Sequence, residues 1–451
     1  MDSPVSPQVL DTFFQFLRFP TVSAQRGHDS DMVACADWLR DLFQSRGLEA
    51  SVHATPGHPI VLARSPVQPG LPTALIYGHY DVQPPEPLDL WESPPFEPVL
   101  HDGMVTARGA TDNKGQILAH IFGVAETLRE NGRLPINVIF LVEGEEEVGS
   151  PHLAPFLEAH RSELACDGVI ISDTGMVGPG IPTFTYALRG ITCLEVRLRG
   201  PSVDLHSGVY GGAVDNPARV LARLLADLHD ENAWVRVPGF YDEVDPIEPW
   251  ERAAWAKLPF GDSELRALTG APELKSEAGF SPIEGIWGRP TLEINGLTSG
   301  YQGEGSKTVL PALASAKISC RLVPRQDPEV IFQRVSAFLS ERCPPTVTME
   351  IVQQHGGHPY LTDPRSGWGP ACTQALSQAW FGREVAMMRE GGSIPIVADF
   401  KRILGADTYL LGLALPDCGA HSPNETFPLE NLAAGIRLNR ALLALLSPLS
   451  T

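Results

Sequence analysis

Four apolar runs dominate what this chain can fold into: TALIYG (73–78), INVIFLV (136–142), GVIIS (168–172) and TYLLGLAL (408–415). Each has strand length and little polar alternation, and amphipathic stretches lie between them. A strand buried on one face alternates; one buried on both faces reads as a continuous apolar run. The pattern therefore predicts a largely parallel sheet with helices on both sides. Each run leads into a histidine or a carboxylate: His79, the Glu145–Glu147 cluster, Asp173 and His421, with Asp112 in GATDNKG as a fifth position. Ligands of open α/β sheets bind outside the carboxyl ends of the strands. Two imidazoles and three acidic positions gathered there suit divalent ions bound through nitrogen and oxygen. One tetrahedral ion does not need so many ligands, so the expectation is a two-metal hydrolytic site.

Periodicity divides the chain further. Apolar Val33, Ala36, Leu39, Leu42 and Phe43 predict a helix over 31–46 closed by Gly47. A second wide apolar face predicts a helix over 116–130. Near residue 186 the style changes. Residues 191–199, 314–323 and 346–353 alternate, and helical patterns occupy 217–229 and 328–342. Strands with one wet face and helices on the other indicate a separate α+β layer. Residues 234–285, rich in Trp, Pro and Glu, have weak periodicity and read as an insertion. Buried-strand and helix patterns return after Gly357, with helices expected at 370–380 and 429–446. If His421 joins the early ligands, the last segment must rejoin the first domain. The expected fold is α/β: a catalytic domain from 1–185 and 358–451, with an α+β lid or dimerisation domain at 186–357 inserted in it.

Composition removes several function classes. The formal net charge is −20, from 34 basic and 54 acidic residues. Nucleic acid and anionic membrane reward basic patches, so neither is an expected partner. The N-terminus lacks the basic-then-apolar pattern of a signal peptide, and no apolar stretch reaches spanning length. Seven scattered cysteines, with no CxxC pair, read as reduced thiols in a cytoplasmic protein.

The motifs supply the chemistry. In GHYDVQP, Asp81 lies two residues after His79, placed to accept the second imidazole N–H and fix the tautomer. In GATDNKG, a carboxylate on a tight turn could bridge two ions, one through each oxygen. EGEEEVGS packs four carboxylates into five residues, which repel unless cations or strong solvation offset them. One glutamate could ligate and a neighbour could take a proton from water; spacing leaves open which does which. Taken singly, these motifs have ordinary readings as a surface turn, a helix cap or a solvated acidic loop. Their joint placement favours the site. Beyond it, His206 sits on a Gly-rich loop in DLHSGVYGG, and Arg321 lies on the polar face of a strand. A histidine can donate to an oxyanion and an arginine fork can hold a carboxylate. REGGSIP offers backbone N–H groups and Ser393 for anion capture, and HGGHPY reads as a hinge.

GHYDVQP, GATDNKG, EGEEEVGS, SDT, DLHSGVYGG, REGGSIP and GAHSPNE, in this order, resemble the M20 metallopeptidase family, with the nearest likeness to its cytosolic nonspecific dipeptidase and carnosinase branch. The resemblance implies two Zn²⁺ or Mn²⁺ ions held by His79, Asp112, Glu147, Asp173 and His421, with Asp112 bridging. It implies Glu146 as general base, Asp81 as the orienting carboxylate and a cis peptide after Asp112. It also implies a homodimer in which His206 reaches the opposite subunit's site, while Thr308, Arg321, Ser393 and His421 contact substrate. The implied activity is hydrolysis of dipeptides or short peptides with a free C-terminal carboxylate. Family members acting on peptides tend to have Asp where Asp173 stands, and several deacylases have Glu. The alternatives are an N-acyl or N-carbamoyl amino-acid amidohydrolase and, more remotely, a non-catalytic binding protein.

Overall fold

The computed structural model describes residues 3–392 and 394–448. Its main sheet has nine strands. In spatial order they are Glu49–His53, Ile60–Arg64, Asn137–Glu143, Thr73–His79, Gly168–Ile171, Asp407–Gly412, Thr183–Leu188 and Tyr360–Leu361, with Ala386–Glu390 also paired to Thr183–Leu188. The four central strands, from Asn137–Glu143 to Asp407–Gly412, run parallel. Antiparallel pairings occupy the margins, apart from the parallel pairing of Ala386–Glu390 with Thr183–Leu188.

The continuous apolar runs have the expected cause. Alternate residues of one strand feed two different cores. Ala74, Ile76, Val138, Phe140 and Ile170 pack on one face, while Leu75, Tyr77, Ile139, Leu141 and Val169 pack on the other. Helices Asp29–Ser45, Gln116–Asn131, Gly369–Ala379 and Leu429–Leu445 cover the first face. Helix Leu153–Ala159 and the turn Phe400–Leu404 cover the second. Two of the first-face helices approach so closely that a Cβ on Gly123 would lie 2.4 Å from the Asn439 Cβ.

A second sheet has four antiparallel strands in the order Thr291–Ser299, Leu313–Leu322, Gly190–Arg199 and Thr348–Gly357. Leu194, Val196 and Leu198 turn inward toward helices Pro217–Ala226 and Pro328–Arg342 and form a separate core with them. The chain leaves the main sheet at Leu188, enters the second at Gly190, and returns between Gly357 and Tyr360. A side chain is excluded at position 190 of this crossover: a Cβ on Gly190 would lie 2.6 Å from the Pro359 nitrogen.

Residues 234–285 hold short capped helices, Pro249–Trp255 and Asp262–Thr269, and the start of Pro282–Gly288. Helices of seven or eight residues give little periodic signal, which explains the weak pattern. Ile247, Trp255, Ile283 and Trp287 join the core of the main sheet, not that of the second. All seven cysteines are free. Among the described residues, no helix is long and apolar enough to cross a membrane.

Candidate active site

Parallel pairing brings the strand ends together. His79 stands in register with Glu143 on one neighbouring strand, and Asp173 lies just past the end of the other. The His79 side chain is fully buried. Its Nδ1 lies 3.1 Å from the Asp81 backbone oxygen and 3.2 Å from the Asp81 carboxylate. That leaves Nε2 aimed at Asp112 Oδ1, 3.1 Å away, and Asp173 Oδ1, 3.6 Å away. Nε2 is buried and has no hydrogen-bond partner. Asp81 has a second contact set that its sequence position did not suggest: its carboxylate accepts the backbone N–H groups of Glu146 (3.3 Å) and Glu147 (3.0 Å).

Asp112 lies in the turn Ala110–Gly115, which opens helix Gln116–Asn131, and its peptide bond to Asn113 is cis. Its other oxygen, Oδ2, lies 3.0 Å from His421 Nε2, which in turn is 3.4 Å from Glu147 Oε2. Two ligand-sized groups result: His79 with Asp112 and Asp173, and Asp112 with Glu147 and His421. In each, the donor atoms fall within 4.8 Å of one another, and Asp112 belongs to both.

Several supporting residues were not singled out from sequence, although they lie inside the motifs. Asn113 donates to Asp173 Oδ1 (2.8 Å) and to the Ser172 carbonyl (2.7 Å). Gln83 donates to Glu147 Oε2 at 2.8 Å. Glu425, the last residue of GAHSPNE, is fully buried beneath the Asp112 turn. It accepts Arg108 Nη1 and the backbone N–H groups of Gly109 and Thr111, each at 2.8 Å, and that of Asp112 at 2.9 Å. Four donors on one carboxylate demand its ionised form. A neutral amide here leaves the buried Arg108 without a counter-charge and points N–H groups at N–H groups. Glu425→Gln is therefore expected to lose about 3–5 kcal/mol of stability. A urea midpoint within error of wild type would show the network to be dispensable.

Electrostatics test whether cations fit. Burial disfavours ionisation of Asp112, yet the His421 and His79 imidazoles beside it outweigh that effect and hold its carboxyl well below the usual range. Burial also opposes a charged His79, but Asp112, Asp173 and Asp81 raise its pKa well above the ordinary value. Burial pushes Glu147 up to about 9, with Asp112 adding to the effect. Glu146 is likewise driven well above the carboxylate range by burial, with Asp173, Asp112 and Glu147 reinforcing it against His79. Crowded carboxylates that resist ionising are short of positive charge. Together with the orphaned His79 Nε2, they fit a pair of divalent ions.

The three adjacent glutamates separate in space. Glu145 turns away to His152, whose Nδ1 lies 2.8 Å from Glu145 Oε2. Glu146 and Glu147 sit over Asp81 on the cluster side.

The remaining predicted residues lie elsewhere. His206 is exposed, pairs with Val309 in a two-residue ladder, and accepts the Gly208 N–H at 3.0 Å. Thr308 is its neighbour, accepting the Ser207 N–H at 3.1 Å. Arg321 ends up beside Arg189: burial first, and the Arg321 charge second, lower the Arg189 pKa to about 10. Both arginines line a cavity of about 710 Å³. Ser393 lies outside the described residues.

Comparison with known proteins agrees with this geometry. The family described as Peptidase family M20/M25/M40 matches residues 75–445. The Cys-Gly metallodipeptidase DUG1 of Saccharomyces cerevisiae is 31% identical, over 97% of this chain and 95% of that protein. The human Beta-Ala-His dipeptidase is 31% identical, over 84% of this chain and 76% of its own length. Among solved structures, the M20 family metallo-carboxypeptidase Sso-CP2 from Sulfolobus solfataricus superposes with a TM-score of 0.86 at 31% identity, covering 98% of this chain and all 100% of that one. The family match and the near full-length similarity lead to one conclusion, with which the His and carboxylate cluster agrees: the chain belongs to peptidase family M20/M25/M40 and is a metallopeptidase of the M20 type.

Proposed function

We propose that this protein hydrolyses dipeptides and other short peptides with a free C-terminal carboxylate at a two-ion centre. The observation that carries this reading is Asp112, whose two oxygens face two separate ligand groups. His79 and Asp173 would hold one ion and Glu147 and His421 the other, with Asp112 common to both. Bound Zn²⁺ or Mn²⁺ would polarise the scissile carbonyl and lower the pKa of the attacking water.

The chain's own residues do the rest. Asp81 fixes the His79 tautomer and, through two backbone N–H groups, sets the Glu146–Glu147 turn. Glu146 takes the proton from the attacking water and delivers it to the leaving amine. His206 of a second copy donates to the developing oxyanion, so a homodimer completes each site. Thr308, Arg321 and Ser393 hold the substrate's carboxylate and backbone, and His421 also contacts it. We assign residues 1–185 and 358–451 to the catalytic unit and 186–357 to the lid and dimer contact. Free thiols favour a cytoplasmic enzyme; cell fractionation checks this.

The discriminating experiment strips the protein of metal, refills it with Mn²⁺ or Zn²⁺, and offers free dipeptides beside N-acylated and N-carbamoylated amino acids. Metal-dependent cleavage of the free dipeptides is expected. Cleavage of the blocked compounds alone would move the enzyme to the amidohydrolases. No turnover of either class with both ions bound would leave a binding protein.

A further inference from the structure

The chemistry above gives no task to residues 234–285, yet one of their side chains reaches the segment that carries Ser393. Glu251, in helix Pro249–Trp255, is only 2% exposed. Its Oε1 accepts Arg389 Nε at 2.8 Å, the Tyr186 hydroxyl at 2.7 Å and a further Arg389 N–H. Its Oε2 accepts the Glu248 backbone N–H at 2.8 Å, so the carboxylate is fixed from every side. Aromatic rings enclose the pair: the Arg389 guanidinium lies 5.7 Å from the Tyr186 ring centre and 5.8 Å from that of Trp255.

Arg389 is the first residue of REGGSIP and lies in strand Ala386–Glu390. Just beyond it, Arg189 grips the chain at the crossover between the sheets. Its Nε donates to the Gly391 carbonyl at 3.0 Å, and its backbone N–H points at the carbonyls of Gly392 (3.1 Å) and Glu390 (3.3 Å). Residues 389–392 are thus held on one side by the crossover and on the other by Glu251. A buried, mutually satisfied ion pair adds little stability over apolar residues of equal volume. What a planar guanidinium on a fixed carboxylate supplies is geometry.

We propose that Glu251 is a positioning residue for substrate recognition: it fixes Arg389, and through it residues 389–392, which precede Ser393 in the chain. Helix Pro249–Trp255 is then the buttress of that segment. The proposal rests on the reading of Ser393 as a carboxylate-binding group.

The test compares wild type and Glu251→Gln as metal-loaded full chains, on a free dipeptide and on its C-terminal amide. Glu251→Gln should raise KM for the free dipeptide about tenfold, change kcat less than about threefold, and cut the preference for carboxylate over amide about tenfold. Backbone hydrogen exchange across 386–392 should speed up, with metal content unchanged. Unchanged exchange overturns the tether, and unchanged KM and preference overturn its role in recognition. A wild type with no preference for the carboxylate overturns the Ser393 reading instead, and the recognition role with it. If Glu251→Gln does not fold, Tyr186→Phe removes one hydrogen bond from the same carboxylate. It should lower the preference about threefold, and no change would overturn the proposal.

Discussion

Glu146→Gln should leave both ions bound and lower kcat by roughly 10³-fold or more, with KM little changed. A factor of that size is about 4 kcal/mol of transition-state stabilisation. The amide keeps the size and the backbone contacts of Glu146 to Asp81, and it lacks only the ability to carry a proton. Glu145 cannot easily substitute, because its carboxylate is engaged with His152. Metal analysis beside steady-state kinetics checks the prediction; near-normal kcat with both ions present would remove Glu146 as base. The same variant probes the trans-acting histidine. His206→Ala protein lacks the oxyanion donor, and Glu146→Gln protein lacks the base. Hybrid dimers made by mixing the two contain one site with both groups intact, so mixing should restore activity. Failure to restore any would place His206 outside the partner's site.

The central parallel strands and the polar residues gathered at their ends were legible because two constraints coincide there. A strand buried on both faces must be apolar throughout, and a polar residue at its end needs a reason to be there. His79 and Asp173 carry both signals. Glu425 carried neither, because a buried carboxylate that caps a turn reads in sequence as one more loop acid. Its importance comes from Arg108 and the three N–H groups that meet it, contacts that span more than 300 residues of chain. The strands Glu49–His53, Thr291–Ser299 and Ala386–Glu390 were missed for a related reason. They lie at sheet margins, are short or carry polar residues, and their pairing is decided by neighbours distant in sequence. Glu251 belongs to the same class: nothing in PWERAAW points to Arg389, 138 residues away.

Asp112→Ala should abolish activity by a different route from Glu146→Gln, because it removes a ligand from both ion sites at once. Metal content should fall well below that of wild type, and refilling with excess Mn²⁺ or Zn²⁺ should restore little turnover. Asp173→Ala, which touches only the group around His79, should lose one ion in preference to the other. The fold itself should survive Asp112→Ala. The turn is held through its backbone N–H groups by Glu425, while the Asp112 carboxylate makes its ion-pair contacts to His79 and His421. Removing it also relieves repulsion on Glu146 and Glu147. The melting temperature of Asp112→Ala should therefore stay near that of metal-free wild type, whereas that of Glu425→Gln should drop. The two carboxylates thus divide the labour: buried Glu425 shapes the turn, and the partly exposed Asp112 side chain is spared that task. Retention of both ions by folded Asp112→Ala would show that the two ligand groups do not depend on a shared bridge, and the two-ion reading of the site would have to be rebuilt.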